Sequence, residues 1–379
     1  MGQKVAVVLP EIEPFSFLKG GALATWVKEV YAFYDKQQFF IFSPKTSTPF
    51  RGFQVIQTSS LPTNWLNFTY LKEKSLAKLV KQNFYPSLVG FICKLKGIKI
   101  FHLHNRPTYS IVIRKLNPSA KIIVHMHNDH FLTLNKSTLN HVMLCTDVII
   151  CVSDYIRNNI EEYCRANGVI AKPLYTLYNG VDTNKFKKLQ VSLNSKVIFF
   201  SGRLIPEKGV EQLIDAFIKV LKDFPDAVLK IAGGAGFGTN VDTEFIIRLK
   251  EKSSLYPANI LFLGFVNHQE IHQLYNHSII YVCPSIWNDP FPLTVLEAMS
   301  SGLALVASEK GGIPEAVGQA GLVVNPSNVE QLSNAIKTLL KDGLLTEQLG
   351  LQARQRVLEY FTWEKVSRQL WPYLFEHSP

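Results

Sequence analysis

The stretch KVIFFSGRLIPEKGVEQLIDAF (196–217) decides the fold. A β-branched and aromatic run leads into Ser201-Gly202. A turn holding Arg203, Pro206 and Lys208 follows, then Gly209 and an amphipathic helical pattern. A continuous apolar run closed by a glycine turn and a helix predicts a buried parallel strand in a βαβ unit. The same unit recurs outward in both directions. Downstream the runs are AVLKIAGG (227–234), NILFLGF (259–265), SIIYVCPS (278–285), LALVAS (303–308) and GLVV (321–324). Upstream they are KVAVVL (4–9), FFIF (39–42), IKIFHLH (98–104), KIIVHMH (121–127) and DVIICVS (147–153). The pattern restarts after the polar stretch TNKFKKLQVSLNS (183–195). The expected architecture is α/β: two doubly wound domains, 1–185 and 186–358, facing across a cleft. An aromatic-rich helix over 359–379 is expected to pack back on the first domain. In such sheets ligands bind beyond the carboxyl ends of the strands.

The chain has 379 residues, 47% hydrophobic and 18% charged, with mean hydropathy +0.07. That supports two cores of about 180 residues each and excludes a disordered chain. No apolar run approaches the ~20 residues that span a bilayer. The start, MGQKVAVVLPEIEP, reads as a first strand and not as a signal peptide. Five scattered cysteines without a C-x-x-C pair indicate neither a disulfide frame nor a zinc site. The expected setting is cytoplasmic. Net charge is +10, and residues 1–185 carry all of it, with 22 Lys+Arg against 11 Asp+Glu. An anionic partner for that half is implied. Segment 65–100 holds Lys72, Lys74, Lys78, Lys81, Lys94, Lys96 and Lys99 against Glu73 alone, interleaved with bulky apolar residues. It reads as a basic amphipathic helix for an anionic membrane surface at the inner face, or as an ordinary helix with a solvated lysine face. No nucleic-acid module is visible.

Glycines in the turn after 201 let backbone approach a ligand closely. Arg203 and Lys208 place two cations at a strand's carboxyl end, suited to a diphosphate. In WNDPFPLTVLEAMSSGLALVAS (287–308) a strand leads through Asp289 and Phe291-Pro292-Leu293 into a helix holding Glu297. A helix N-terminus offers N–H groups to an anion. Loop carboxylates suit sugar hydroxyls, and a helix carboxylate can reach a ribose. IAGGAGFG (231–238) spaces its glycines as G-x-G-x-G, which excludes a dinucleotide fingerprint. His102, His104, His125 and His127 alternate at two strand ends. A metal site there lacks a carboxylate or thiol companion, and no metal is expected.

Taken together, NGVD (179–182), GRLIPEKG (202–209), IAGGAG (231–236), LGFV (263–266), Asp289-x7-Glu297 and GGIPE (311–315) resemble the GT-B fold and, within it, the retaining family 4 glycosyltransferases. The likeness covers most of the chain and is densest over 175–330. It implies a nucleotide-sugar donor, UDP-linked by expectation, and a glycan or lipid-linked acceptor of cell-surface glycan or lipopolysaccharide synthesis. No cofactor or metal is implied. By the same resemblance Arg203 and Lys208 bind the diphosphate, with the Gly20-Gly21 loop and Gly202 and Gly234 near it. Backbone around Val266 reads the base, and Phe291, Leu293 and Thr294 line phosphate or sugar. Glu297 binds ribose, Asp289 binds the donor sugar, and His127, with His125 as the alternative, serves as the active-site histidine. The family has Glu where this chain has Asp289, one methylene shorter, which puts sugar preference in question. Two other classes fit the same fold: a non-catalytic sugar-nucleotide-binding scaffold and a sugar-nucleotide epimerase.

Overall fold

The computed structural model describes residues 3–17, 21–58, 74–188, 196–236 and 241–376, with backbone alone for 74–82. The chain forms two compact units, Met1–Tyr178 with Val366–Pro379, and Asn179–Lys365.

The first unit is built on seven parallel strands: β1 (Val5–Val8), β2 (Phe39–Pro44), β3 (Gln54–Thr58), β4 (Ile100–His104), β5 (Lys121–Met126), β6 (Val148–Cys151) and β7 (Leu174–Thr176). Their order is β3-β2-β1-β4-β5-β6-β7, so strand order reverses between β1 and β4. β1, β4 and β6 are buried along their whole length, as apolar runs covered on both faces should be. β3 and β7 are the strands that the apolar runs did not announce. Both lie at sheet edges and are mostly half-exposed, so their sequences QVIQT and LYT carry no continuous apolar stretch. The C-terminal segment belongs to this unit through its aromatic side chains. Trp371 lies 5.5 Å from Tyr34, Phe375 6.4 Å from Phe39, and Tyr373 4.8 Å from Tyr175.

The second unit carries six parallel strands: β8 (Val197–Ser201), β9 (Val228–Ala232), β10 (Ile260–Gly264), β11 (Ile280–Cys283), β12 (Ala304–Ser308) and β13 (Leu322–Val324). Their order is β10-β9-β8-β11-β12-β13, which places the reversal between β8 and β11. The helix Val210–Leu221 turns Leu213, Ile214, Phe217 and Val220 onto the sheet. Together with Ile198, Val282 and Val306 from the strands they form the core. Asn179 and Val181 are fastened inside this unit: Asn179 Nδ2 donates to the Phe291 carbonyl at 2.8 Å, and Val181 N to that of Phe361 at 2.8 Å. This is why the unit starts at Asn179, upstream of the polar stretch at 183–195. No described helix is long and apolar enough to cross a membrane.

Candidate functional site

The strand ends of the second unit are laced together by glycine backbone. Gly202 N donates to the Ala232 carbonyl at 3.1 Å, Leu204 N to that of Gly234 at 2.8 Å, and Gly233 N to that of Gly264 at 2.8 Å. A Cβ on Gly233 would stand 1.8 Å from the Gly202 carbonyl oxygen, so only glycine permits this approach. The turn Pro206–Lys208 then closes at Gly209, whose φ of 69° is left-handed. A Cβ there would meet the Pro284 carbonyl oxygen at 1.9 Å. The turn is thereby pressed against the end of β11. Arg203 projects to the exposed side, while Lys208 is drawn inward, with its side chain 20% exposed.

The loop after β11 is stitched to that turn. Ile286 N and Trp287 N both donate to the Glu207 carbonyl, at 3.0 and 3.2 Å, and Ser285 Oγ donates to it at 3.2 Å. Lys208 Nζ donates to Asp289 Oδ2 and sits 5.8 Å from the centre of the Trp287 ring. Asp289 is buried, and its backbone is clamped by GGIPE. Gly312 N donates to the Asp289 carbonyl at 2.8 Å, and a Cβ on Gly311 would lie 2.2 Å from that oxygen. Two motifs about 80 residues apart thus meet as one ion pair on either side of the strand-order reversal, where doubly wound sheets bind ligands.

The helix Leu293–Ser300 starts directly after this loop, at Pro292. Leu293 and Thr294 open it, and N–H groups in a first turn have no partner within the helix. Glu297 is 6% exposed, so it is not a solvated helix residue. Both its oxygens accept hydrogen bonds, Oε1 from His268 Nε2 at 3.0 Å and Oε2 from Tyr275 Oη at 2.9 Å. Lys185 Nζ lies 2.8 Å from His268 Nδ1. An ammonium only donates, so Nδ1 accepts and the proton donated to Glu297 sits on Nε2. Burial and the neighbouring carboxylate hold the Tyr275 phenol well above its ordinary range, so it stays a donor. Tyr275 Oη also contacts Ser201 Oγ at 2.7 Å, which ties the end of β8 to Glu297. His268, Tyr275 and Ser201 were not picked out in the sequence. The one available signal was His268, two residues after Val266 in LGFVNHQ.

Other expected residues fall as follows. Val266 is half-buried in the loop after β10, and Gly234 is buried with its carbonyl already accepting from Leu204. Phe291 is a core residue: its ring is 3% exposed, 5.6 Å from Phe361, and its carbonyl is taken by Asn179.

In the first unit, Gly20 lies outside the described residues, and Gly21 precedes the helix Ala22–Tyr31. The positive end of that helix is occupied from within: Glu13 Oε1 accepts from Leu23 N at 3.1 Å and Ala24 N at 3.2 Å. Glu13 was not singled out in the sequence. Burial outweighs these bonds and pushes its carboxyl above the usual range.

His127 is half-buried at the end of β5, beside a cluster of buried imidazoles. His104 Nδ1 lies 3.1 Å from His127 Nε2, His102 Nε2 lies 3.2 Å from His125 Nδ1, and Tyr31 Oη lies 2.6 Å from His102 Nδ1. The four rings surround Trp26, whose ring centre is between 4.8 and 5.9 Å from theirs. Burial pushes His102 and His127 down to about 3 and His104 and His125 well below their ordinary value, so all four are neutral at pH 7. Asn105, at φ 54°, fixes the register: its N donates to the His125 carbonyl at 2.9 Å and its Oδ1 accepts from His127 N at 2.6 Å. His102, His104 and His125 bring one possible ligand atom each within 4.8 Å of one another, and among the described residues no carboxylate or thiol joins that group.

Known proteins show the same two-part organisation. Residues 28–185 match the model of Glycosyltransferase Family 4, and residues 181–356 match that of Glycosyl transferases group 1. The chain is 26% identical to spore coat protein SA of Bacillus subtilis, over 97% of this chain and 98% of that protein. It is 25% identical to the lipopolysaccharide 1,2-N-acetylglucosaminetransferase of Salmonella typhimurium, over 70% of this chain and 70% of that one. Among solved structures it resembles Anabaena HepE, in complexes with UDP and with UDP-glucose. The likeness to the UDP complex has a TM-score of 0.77 at 18% identity, over 98% of this chain and 99% of HepE. Two parallel α/β units and these neighbours define the GT-B fold.

Proposed function

The chain belongs to the GT-B glycosyltransferases of the family 4 type, and we propose that it moves a sugar from a UDP-linked donor to a hydroxyl of a glycan or glycolipid, with retention and without a divalent metal. One observation carries this reading. Lys208, paired with Asp289, stands at the reversal between β8 and β11 beside a helix N-terminus, with Arg203 on the same turn. A diphosphate leaving group gains negative charge as the glycosidic bond breaks, and fixed cations and N–H groups aimed at it lower that barrier. Lys208 spends one of its three N–H donors on Asp289 and keeps two for phosphate oxygens. Arg203 supplies the second cation, and Leu293 and Thr294 supply N–H groups.

Glu297 accepts ribose hydroxyls on the lone pairs that His268 and Tyr275 leave open, and backbone near Val266 reads the base. Asp289 contacts the donor sugar. His127, kept neutral, is the residue of the first unit assigned to the transfer step. No side chain of this set is placed as a nucleophile, so attack occurs on the face the leaving group departs from. The UDP complexes of HepE and the sugar-transferring relative support the donor class. The acceptor is lipid-linked in this reading, with residues 65–100 toward an anionic membrane surface. Lys72 lies outside the described residues, as do the side chains of Lys74, Lys78 and Lys81. The deciding experiment measures thermal shift and radiolabelled transfer across UDP-, GDP-, ADP- and dTDP-sugars. A shift with UDP-sugars is expected, together with transfer from them that Arg203→Ala lowers by about 100-fold or more. Wild-type turnover in Arg203→Ala refutes the assignment.

A further inference from the structure

Among the described residues the ring of His127 makes one hydrogen bond, and that bond carries a choice of proton. His127 Nε2 lies 3.1 Å from His104 Nδ1. The main chain is fixed by Asn105, whose Oδ1 accepts from His127 N at 2.6 Å. His127 Nδ1 has no hydrogen bond to the described residues and is open to solvent on a half-buried residue. Burial keeps both imidazoles neutral. A neutral imidazole has one proton for two nitrogens, so one ring of the pair donates and the other accepts. In the first arrangement His127 Nε2–H donates. The His104 proton then sits on Nε2, and His127 Nδ1 is a bare acceptor. In the second, His104 Nδ1–H donates. His104 Nε2 is then bare, and the His127 proton sits on Nδ1.

His104 Nε2 separates the two. It is buried and has no hydrogen-bond partner among the described residues. Trp26, from the helix Ala22–Tyr31, packs against the same ring with centres 5.3 Å apart, and its Nε1 is likewise buried without a partner. An indole N–H only donates. A proton on His104 Nε2 would bury a second unanswered donor in this group, and buried N–H groups without partners are rarer than under-used acceptors. A lone pair on Nε2 gives the group an acceptor instead. His125 Nε2 is also without a partner, but its ring is bonded through Nδ1 to His102 and so to Tyr31, and it does not enter the bond between His104 and His127.

We propose that His104 is a positioning residue, which holds the proton of His127 on Nδ1 and so presents His127 as an N–H donor to a hydroxyl of the reacting sugars. The outward nitrogen then carries a hydrogen and cannot accept another proton, which removes His127 as a general base. The use of this donor rests on the transferase function proposed above. The proton placement does not.

Long-range proton–nitrogen NMR of the full chain with isotope-labelled histidine separates a protonated ring nitrogen from a bare one, and His127→Gln identifies the signals of His127. In the wild type without donor, His127 is expected to be protonated at Nδ1 and bare at Nε2. A proton on Nε2 overturns the proposal. His104→Asn keeps an amide N–H near the place of the imidazole Nδ1 and should preserve this tautomer. His104→Leu removes the donor and should let His127 populate both tautomers; an unchanged spectrum there overturns the positioning role. If His104→Leu does not fold, Trp26→Phe takes its place. It keeps a ring, removes the indole N–H, and should raise the share of protonated Nε2, whereas an unchanged share overturns the argument. With a UDP-sugar, His104→Leu is expected to lower kcat about tenfold with KM for the donor nearly kept, as for one lost hydrogen bond, and His104→Asn to recover most of the loss. A wild type that shows this tautomer but transfers from no UDP-sugar refutes the function and leaves the proton placement standing.

Discussion

At the carboxyl ends of β8 and β11 the second unit sets charges against one another, whereas at the carboxyl ends of β4 and β5 the first unit buries imidazoles that carry none. Lys208 is joined to Asp289, and Glu297 to a protonated tyrosine and a histidine whose second nitrogen faces Lys185. His102, His104, His125 and His127 pair with one another around Trp26. The first arrangement can respond to charge that grows during a reaction. The second can only orient, because depressed basicity leaves its members unable to hold a proton near neutrality. The same sheet topology therefore supports an electrostatic apparatus in one unit and a neutral positioning lattice in the other.

The largest expected effect lies on the charged side. If the cations act mainly on the departing diphosphate, Arg203→Ala and Lys208→Ala should each lower kcat/KM about 100- to 1000-fold, the usual cost of one lost transition-state donor. The loss should fall on kcat more than on KM in steady-state rates with a UDP-sugar. A loss confined to KM would reduce the cations to ground-state anchors and weaken the contrast between the units.

Next in size is a pH effect from the neutral side. His102 has a folded-state value near 3 against about 6.5 unfolded, so below 6.5 the unfolded chain binds the proton that the folded chain refuses. Stability contributed by keeping it neutral is complete above 6.5 and is lost as pH falls from there toward 3. By pH 5 this amounts to ~2 kcal/mol for His102 alone. Urea unfolding at pH 7 and pH 5, for wild type and His102→Gln, should show a smaller drop in the variant. Equal drops would mean that the rings take up protons in place and that the lattice is not neutral.

A smaller effect is expected at Glu297, which belongs to the charged site but already has partners. Glu297→Gln keeps the shape and weakens acceptance from His268 and Tyr275 and, if Glu297 holds the donor's ribose as proposed, from its hydroxyls. It should raise KM for the donor about tenfold with kcat nearly kept, as for one hydrogen bond to a charged group. A fall in kcat instead would make Glu297 part of the chemistry.

The contrast also explains how far the sequence could be read. Eleven of the thirteen strands among the described residues stand out as apolar runs, including β10 and β13, which lie at the edges of their sheet and are only partly buried. β3 and β7 escape because an edge strand needs no such run. Lys208 and Asp289 are each legible, since turn cations and loop acids after strands follow from local pattern. Their pairing is tertiary and was not. Glu297 was legible as a helix acid, but Tyr275 and His268 come from the preceding loop and helix and meet it only because β10, β8 and β11 share one sheet. Glu13 escaped for a related reason: it caps a helix that begins nine residues later, beyond the reach of a capping motif.

The smallest expected change concerns the position where the chain departs from the family's acid. With one methylene less than Glu, Asp289 still meets Lys208, because Gly209 and Gly311 press the two loops together from either side. Asp289→Glu adds volume at a site 6% exposed, where the clamped backbone cannot retreat. The carboxylate must then swing either toward Lys208 or away from it, toward the place proposed for the donor sugar. An added methylene in a packed site costs about 1–3 kcal/mol, and because the carboxylate can swing to relieve part of this, kcat/KM should change by about tenfold or less, the lower end of that range. The ratio of rates with UDP-glucose and UDP-N-acetylglucosamine should move while the response to Arg203→Ala stays the same. A changed ratio would make the shorter acid a determinant of sugar choice. An unchanged ratio with lower overall rate would reduce Asp289 to the residue that aims Lys208.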